Sequence, residues 1–159
     1  ISLPTFPIYI ILSETITFVI TMLIYVIFLL ATGVGLHKTI IFLPFIYLAQ
    51  QILAYSLGFL VGILQVFIRD LKEVVGLVIF LWFWLNPIVY VVQILPEYVQ
   101  QILIFNPSFW FIDAFHDILV FQRAPKFNYL IALVVVGHLI LGLSYYLFKR
   151  LEKDLRDFL

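Results

Sequence analysis

Residues 74–121 form an almost unbroken apolar ribbon, bounded by Arg69 and Lys72 before it and by Arg123 and Lys126 after it, and cut by Pro87, Pro96 and Pro107. At about 1.5 Å per helical residue, against about 30 Å of bilayer hydrocarbon, the ribbon is long enough for two full crossings. Each proline removes a backbone donor and disfavours helix at the residue before it. Whether the ribbon crosses once or twice fixes the side of the membrane on which everything after it lies.

A chain that is 65% hydrophobic and 11% charged lies far outside the range of soluble domains and reads as an all-α polytopic integral membrane protein. The absence of cysteine excludes disulfides and thiolate metal sites. Net charge is zero and the charges cluster between apolar runs, so no nucleic-acid footprint is present. The first residue is Ile1, followed almost at once by a membrane-length run too long for a signal peptide, and the reading expects an N-terminal part of the protein to be missing.

Pro4 and Pro7 hold the start extended and permit a helix to begin, and residues 15–36 carry no charge, giving a first span at about 8–36. Glu14 lies near the start of that span, where an unpaired carboxylate is costly. It reads either as a headgroup-level residue that reaches water or as a partner of Arg69 or Lys72. A glycine turn at 33–38 leads to a second span, 40–68, which carries Ala54, Gly58 and Gly62 at four-residue intervals. Small residues on one stripe let helix backbones approach, and intramolecular packing is expected there before a dimer contact.

Charge decides the ribbon. If 98–121 crosses fully, the basic residues divide 4 (Arg69, Lys72, Arg123, Lys126) against 5 (Lys38 and the four of the tail); if it dips in and returns, they divide 6 (Arg69, Lys72, Lys149, Arg150, Lys153, Arg156) against 3 (Lys38, Arg123, Lys126). The positive-inside bias prefers the second, with Arg69 and the tail in the cytoplasm. This predicts a third span at 74–95, re-entrant helices at 97–105 and 108–121, a last span at 127–148 and a cytoplasmic tail at 149–159.

Asn86-Pro87 and Asn106-Pro107 each set a capping residue before a proline suited to a first helical position. Non-helical backbone at membrane depth needs protein or a watery cavity around it, so such breaks point to a pathway. Aromatic residues crowd these breaks: Trp82, Phe83, Trp84, Tyr90, Tyr98, Phe105, Phe109, Trp110, Phe111 and Phe115. They read as an interfacial belt or as flat surfaces on which sugar rings can stack and pass. Asp113, His116 and Asp117 share one helix as a polar face, too few ligands for a metal site from one helix. His138 in the last span reads as a satisfied donor ahead of a proton relay. In the tail, Phe148, Leu151, Leu155 and Phe158 keep one stripe, and Arg150–Asp154, Glu152–Arg156 and Lys153–Asp157 are opposite charges four apart that extend the helix into the cytoplasm.

The ordered set FIRDLKE, LNPIVY, a P-E-x-V hinge, FNPSFWFIDAFHDIL and FKRLEKDLRDFL, with TFP ahead of the first span, resembles the permease subunits of ABC exporters for polysaccharides of the O-antigen, capsule and teichoic-acid types. The resemblance covers nearly the whole chain and corresponds to the last four of that family's six spans, with two re-entrant gate helices after the fifth. It departs in lacking the amphipathic N-terminal helix, the first two spans and the loop that meets the ATPase. It implies a homodimeric channel in the cell inner membrane that pushes a lipid-linked glycan outward, with ATP and Mg bound by a separate cytoplasmic subunit. In that picture Trp82, Trp84, Tyr90, Tyr98, Phe109, Trp110 and Phe111 line or gate the sugar path. Arg69 and Lys72 sit at the cytoplasmic mouth, meeting a lipid carrier's pyrophosphate or anchoring to anionic lipid.

No Walker-type phosphate loop, GxSxG or HExxH occurs, so no catalytic, cofactor or metal residue is assigned to this chain. The alternatives are an ABC permease for a small hydrophobic drug or lipid, a non-transport membrane subunit, or an intramembrane enzyme built on Asp113, His116 and Asp117.

Overall fold

The computed structural model describes residues 6–33, 35–88, 90 and 92–158, with side chains described for all of these except 6, 7, 93 and 152–158. Among the described residues all regular structure is helical: α1 (Phe6–Ala31), a 3-10 turn (Lys38–Phe42), α2 (Leu43–Phe67), α3 (Leu71–Leu85), a second 3-10 turn (Val92–Ile94), α4 (Glu97–Leu103), α5 (Pro107–Leu119) and α6 (Phe127–Phe158). Three helices are long and apolar enough to cross a bilayer, Ile8–Ala31, Lys38–Phe67 and Phe127–Leu151, and a fourth crossing arises if the pair α4 and α5, bent by 98°, counts as one. This is a multi-pass membrane protein. Of the predicted extended start, residues 2–5 lie outside the described residues, while Phe6 and Pro7 already belong to α1; in the tail, one or both partners of each charge pair, and Leu155 and Phe158 of the apolar stripe, lie outside the described side chains.

In lipid the backbone must satisfy itself, and the polar side chains of α1 follow the same rule: the hydroxyls of Thr15, Thr17, Thr21 and Thr32 donate to carbonyls one turn back. α1 stops at Ala31, five residues before the expected limit, because Gly33 takes φ +75°, a left-handed conformation that ends a helix. The imidazole of His37 then accepts from the Thr39 amide, and Pro44 opens α2 in the first turn, where its missing N–H is not needed.

α2 and α6 form the main packed pair, and they run parallel. Going down both helices together, Phe42 meets Phe127 edge-on at 5.0 Å, Ile52 and Leu53 meet Gly137, Ser56 meets Ser144, and Phe59 meets Phe148. A Cβ on Gly137 would lie 3.2 Å from Ile52 Cγ2 and 3.4 Å from the Leu53 backbone, so this glycine sets how closely the helices cross. The expected small-residue stripe is not what does this. Among the described residues nothing comes within 4 Å of a Cβ built on Gly58 or Gly62, because that face of α2 points away from α6.

α5 completes the core. Its Phe111, Ala114 and Ile118, spaced to fall on one face, pack with Leu43, Ile46, Ala49 and Leu53 of α2 and Leu130 of α6. α1 lies antiparallel to α2, with Phe18 stacked on Tyr47 at 4.1 Å and the Tyr47 hydroxyl donating to Thr15 Oγ1 at 3.0 Å. α3 has no buried residue. Its 15 residues reach only about 22 Å, short of the 74–95 span expected, since Asn86 must turn extended before Pro87.

Candidate functional site: a helix break at mid-bundle

The two Asn-Pro steps, one after α3 and one before α5, are stitched together. Asn106 Oδ1 accepts from the Ser108 amide at 3.0 Å, capping α5, and from the Trp82 indole N–H at 2.7 Å. Asn106 Nδ2 in turn donates to Asn86 Oδ1 at 2.8 Å. One amide therefore joins α3, the loop that leaves it and the first turn of α5. Side chains so connected supply the polar partners that lipid cannot. Nearby, Gln100 Nε2 donates to the Leu95 carbonyl and the Tyr90 hydroxyl to the Leu85 carbonyl, serving backbone oxygens freed where the chain is not helical.

The depth of the break follows from its neighbours on α2. A cavity of about 380 Å³ beside it is lined by Gln50, Leu53, Leu57, Trp82, Asn86 and Ser108, so the first turn of α5 is level with the middle of α2. α5 then climbs toward the end where α2 and α6 begin, and there the Tyr25 hydroxyl donates to the Leu119 carbonyl at 2.9 Å. The chain turns back through Gln122 at φ +53° and enters α6 at Phe127, against Phe42.

Two ion pairs hold that return. Arg123 reaches the Asp117 carboxylate at 2.6 Å and its amide donates to the Asp117 carbonyl at 2.8 Å; Lys126 reaches Asp113 at 3.0 Å and lies 5.5 Å from the centre of the Trp110 ring. Asp117 is 1% exposed while Arg123 is 58% exposed. Replacing Arg123 by alanine strands a buried carboxylate, and we expect a loss of about 1–2 kcal/mol, reduced from the value for a fully buried pair by the water around Arg123. Thermal unfolding in detergent checks this, with Lys126→Ala, whose partner is more exposed, losing less.

The aromatic residues singled out in the sequence separate into three groups. Trp82 belongs to the break, and Tyr90 and Phe109 line a cavity of about 490 Å³ with Pro87, His116 and Arg123. Trp110 stacks on Tyr129 at 3.6 Å with 8° between planes and donates to the Ile104 carbonyl, and Phe111 is 3% exposed within the core. Trp84 and Tyr98 are exposed on outward faces. Arg69 and Lys72 are exposed at the far end of the bundle from Arg123. Ala54 and Gly58 line the cleft between α1, α2 and α5. Glu14 lines the same cleft as Gln50 and Gln51 of α2, beside the Thr15 contact that pairs α1 to α2. The described ion pairs do not include one from Glu14 to Arg69 or Lys72.

Asp113 and Asp117 are drawn to different cations, and among the described residues no group of three His, Asp or Glu side chains is placed to hold a metal. His138 Nδ1 lies 2.8 Å from the Val134 carbonyl of its own helix. Of the two expected Asn-Pro caps, Asn106 caps α5 as expected, whereas Asn86 stands at the C-terminal end of α3, the chain at Pro87 and Ile88 is turn and not helix, and the Asn86 oxygen is spent on Asn106; sequence reasoning missed that union and passed over Gln50, Gln51 and Tyr129.

These features define a multi-pass helical membrane protein with a protein-lined break inside its bundle. Residues 1–120 match the model of the ABC-2 type transporter family, and the chain belongs to that family. It is similar to two O-antigen export system permease proteins RfbA of Klebsiella pneumoniae. One is 25% identical over 143 residues, covering 89% of this chain and 55% of the relative; the other is 26% identical over 110 residues, covering 69% and 42%. The chain thus spans about half the length of the curated relatives it matches.

Proposed function

We propose that this chain is the gate-bearing part of the permease of an ATP-driven exporter, moving a lipid-linked polysaccharide or related polymer outward across the cytoplasmic membrane. It works as a homodimer with a separate cytoplasmic subunit that binds ATP and Mg. Membership of the ABC-2 type transporter family and the export role in the relatives' names support the transport reading.

The observation that carries the gate is the break itself: Trp82, Asn86 and Asn106 satisfy one another at the level of mid-α2, between the cavity at Gln50 and the one at Tyr90 and Phe109. Because α2 and α6 run parallel, the chain between them makes one net passage, which supports α4 and α5 as a re-entrant pair after α3. The positive-inside bias sets the Arg69 end and the tail in the cytoplasm and Gln122 outside. Trp82, Tyr90 and Phe109 offer ring faces or edges to a passing glycan, Trp84 and Tyr98 face a second copy or lipid, and Trp110 and Phe111 hold the gate helix in place. Arg69 and Lys72 bind anionic lipid or the carrier's pyrophosphate at the inner surface.

The sequence holds no cysteine, so single labels are clean. Gln122→Cys is expected to react with a membrane-impermeant maleimide on intact cells, and a cysteine appended to the C-terminus only after lysis. The reverse pattern sinks the gate. Loss of surface glycan on deleting the gene tests the cargo; undiminished export excludes it.

A further inference from the structure

The threonine hydroxyls along α1 settle their hydrogen bonds within their own helix, each donating to a carbonyl one turn back. Ser108 has no such recourse. It is the second residue of α5, and the carbonyl four residues before it, that of Ile104, accepts from the Trp110 indole. Asn106 takes the Ser108 amide and leaves the hydroxyl unbonded. The Gln50 amide on α2 has no hydrogen-bond partner among the described residues, and Asn86 is engaged through its oxygen alone, with Nδ2 unused. These three groups belong to the wall of one space, the cavity of about 380 Å³ between α2, α3 and α5. None is sealed in protein, since among the described residues no buried side-chain nitrogen or oxygen lacks a partner.

Their level decides what can fill the space. Gln50 and Leu53 fall within a turn of the midpoint of the Lys38–Phe67 span, where acyl chains offer an amide or a hydroxyl nothing. The wall carries no Asp, Glu, Lys or Arg, so it does not call for an ion. It calls for a neutral molecule that both donates and accepts, because Asn86 Nδ2 can only donate while Gln50 and Ser108 can do either. At about 30 Å³ per water the space holds several.

We propose that this cavity is a water-filled pocket at mid-membrane, its waters held by the Gln50 amide, the Ser108 hydroxyl and Asn86 Nδ2. The wet side of the helix break is then the α2 side. Asn106 is not on this wall, so the water reaches one face of the break and leaves the bonds that Asn106 makes intact. This is the face on which a hydroxylated cargo trades hydrogen bonds with water, and that step alone rests on the transport reading.

The test reads hydration and needs no cargo. It uses the full-length permease in native membranes, with any cysteine outside these 159 residues, which hold none, replaced by serine. A thiol reacts as its thiolate, and burial in apolar surroundings suppresses the thiolate. Ser108→Cys is therefore expected to react with a small charged methanethiosulfonate at least about tenfold faster than Leu48→Cys, two residues from Gln50 on the opposite, exposed face of α2. Leu57→Cys, on the cavity wall and clear of the α5 cap, is expected to give the same contrast. Gln50→Leu removes one holder of water and is expected to slow the labelling of Ser108→Cys severalfold. Equal labelling rates at positions 108 and 48, labelling indifferent to Gln50→Leu, or labelling of Ser108→Cys by a lipid-soluble maleimide alone each overturn the proposal. Should the charged reagent reach neither position, deuterium modulation from D2O at a nitroxide on Leu57→Cys decides: modulation well above that at Leu48→Cys supports a wet pocket closed to the reagent, and equal modulation overturns it.

Discussion

Replacing Asn106 by leucine is expected to reduce transport at least about tenfold and to destabilise the protein by about 3–5 kcal/mol, the sum of a lost cap and two stranded partners. The substitution removes the acceptor of the Ser108 amide and of the Trp82 indole at one stroke, and leaves Asn86 Oδ1 without its donor. The losses fall together on part-buried groups at the level of mid-α2, which is why the effect exceeds that of an ordinary surface cap. The ranking discriminates better than any single value. Trp82→Phe loses one donor and Asn86→Ala one acceptor, so each is expected to cost about 1–2 kcal/mol. Thermal unfolding in detergent and, on the proposed cargo, surface glycan normalised to protein level measure the two consequences. Should Asn86→Ala prove as damaging as Asn106→Leu, the break is not organised around Asn106.

The second large effect is expected at Gly137. A leucine there has its Cβ 3.2 Å from Ile52 Cγ2 and 3.4 Å from the Leu53 Cα and amide nitrogen before its longer atoms are placed. Ile52 can shift its side chain, but the Leu53 backbone cannot move without unpacking α2, and overpacking of this kind costs about 1–3 kcal/mol or more. Most of the folded protein is expected to disappear from size-exclusion profiles. Gly137→Ala, asking only Ile52 to give way, is expected to lose about 1 kcal/mol. Unchanged unfolding of Gly137→Leu would mean that α2 and α6 do not cross this closely.

The helical, multi-pass character was legible because apolar runs of that length have no other stable form in water or lipid. Both breaks were legible from the prolines of the Asn-Pro steps, but the expected capping occurs at Asn106 alone, since the chain at Pro87 is turn and not the start of a helix. What the sequence left open is which groups meet. Asn86 and Asn106 read as two independent caps, since nothing local tells that one amide serves the other from 20 residues away. The stripe at Ala54, Gly58 and Gly62 carries the familiar spacing, while the tight crossing falls at Gly137, a lone glycine that no repeat marks. Among the aromatics, burial depends on the face of α5 that meets α2. The spacing of Phe111, Ala114 and Ile118 held that information, and read as a helical face it would have set Phe111 apart from Phe109.

The shared direction of α2 and α6 has a mechanical corollary. The chain joining them must rise by one bundle height, about 37 Å for the 25 residues of α2, and α3, with 15 residues, supplies only about 22 Å of it. The remaining climb falls to the chain after Leu85, so the bend at Asn86-Pro87 is part of the ascent itself and not an interruption of a finished span.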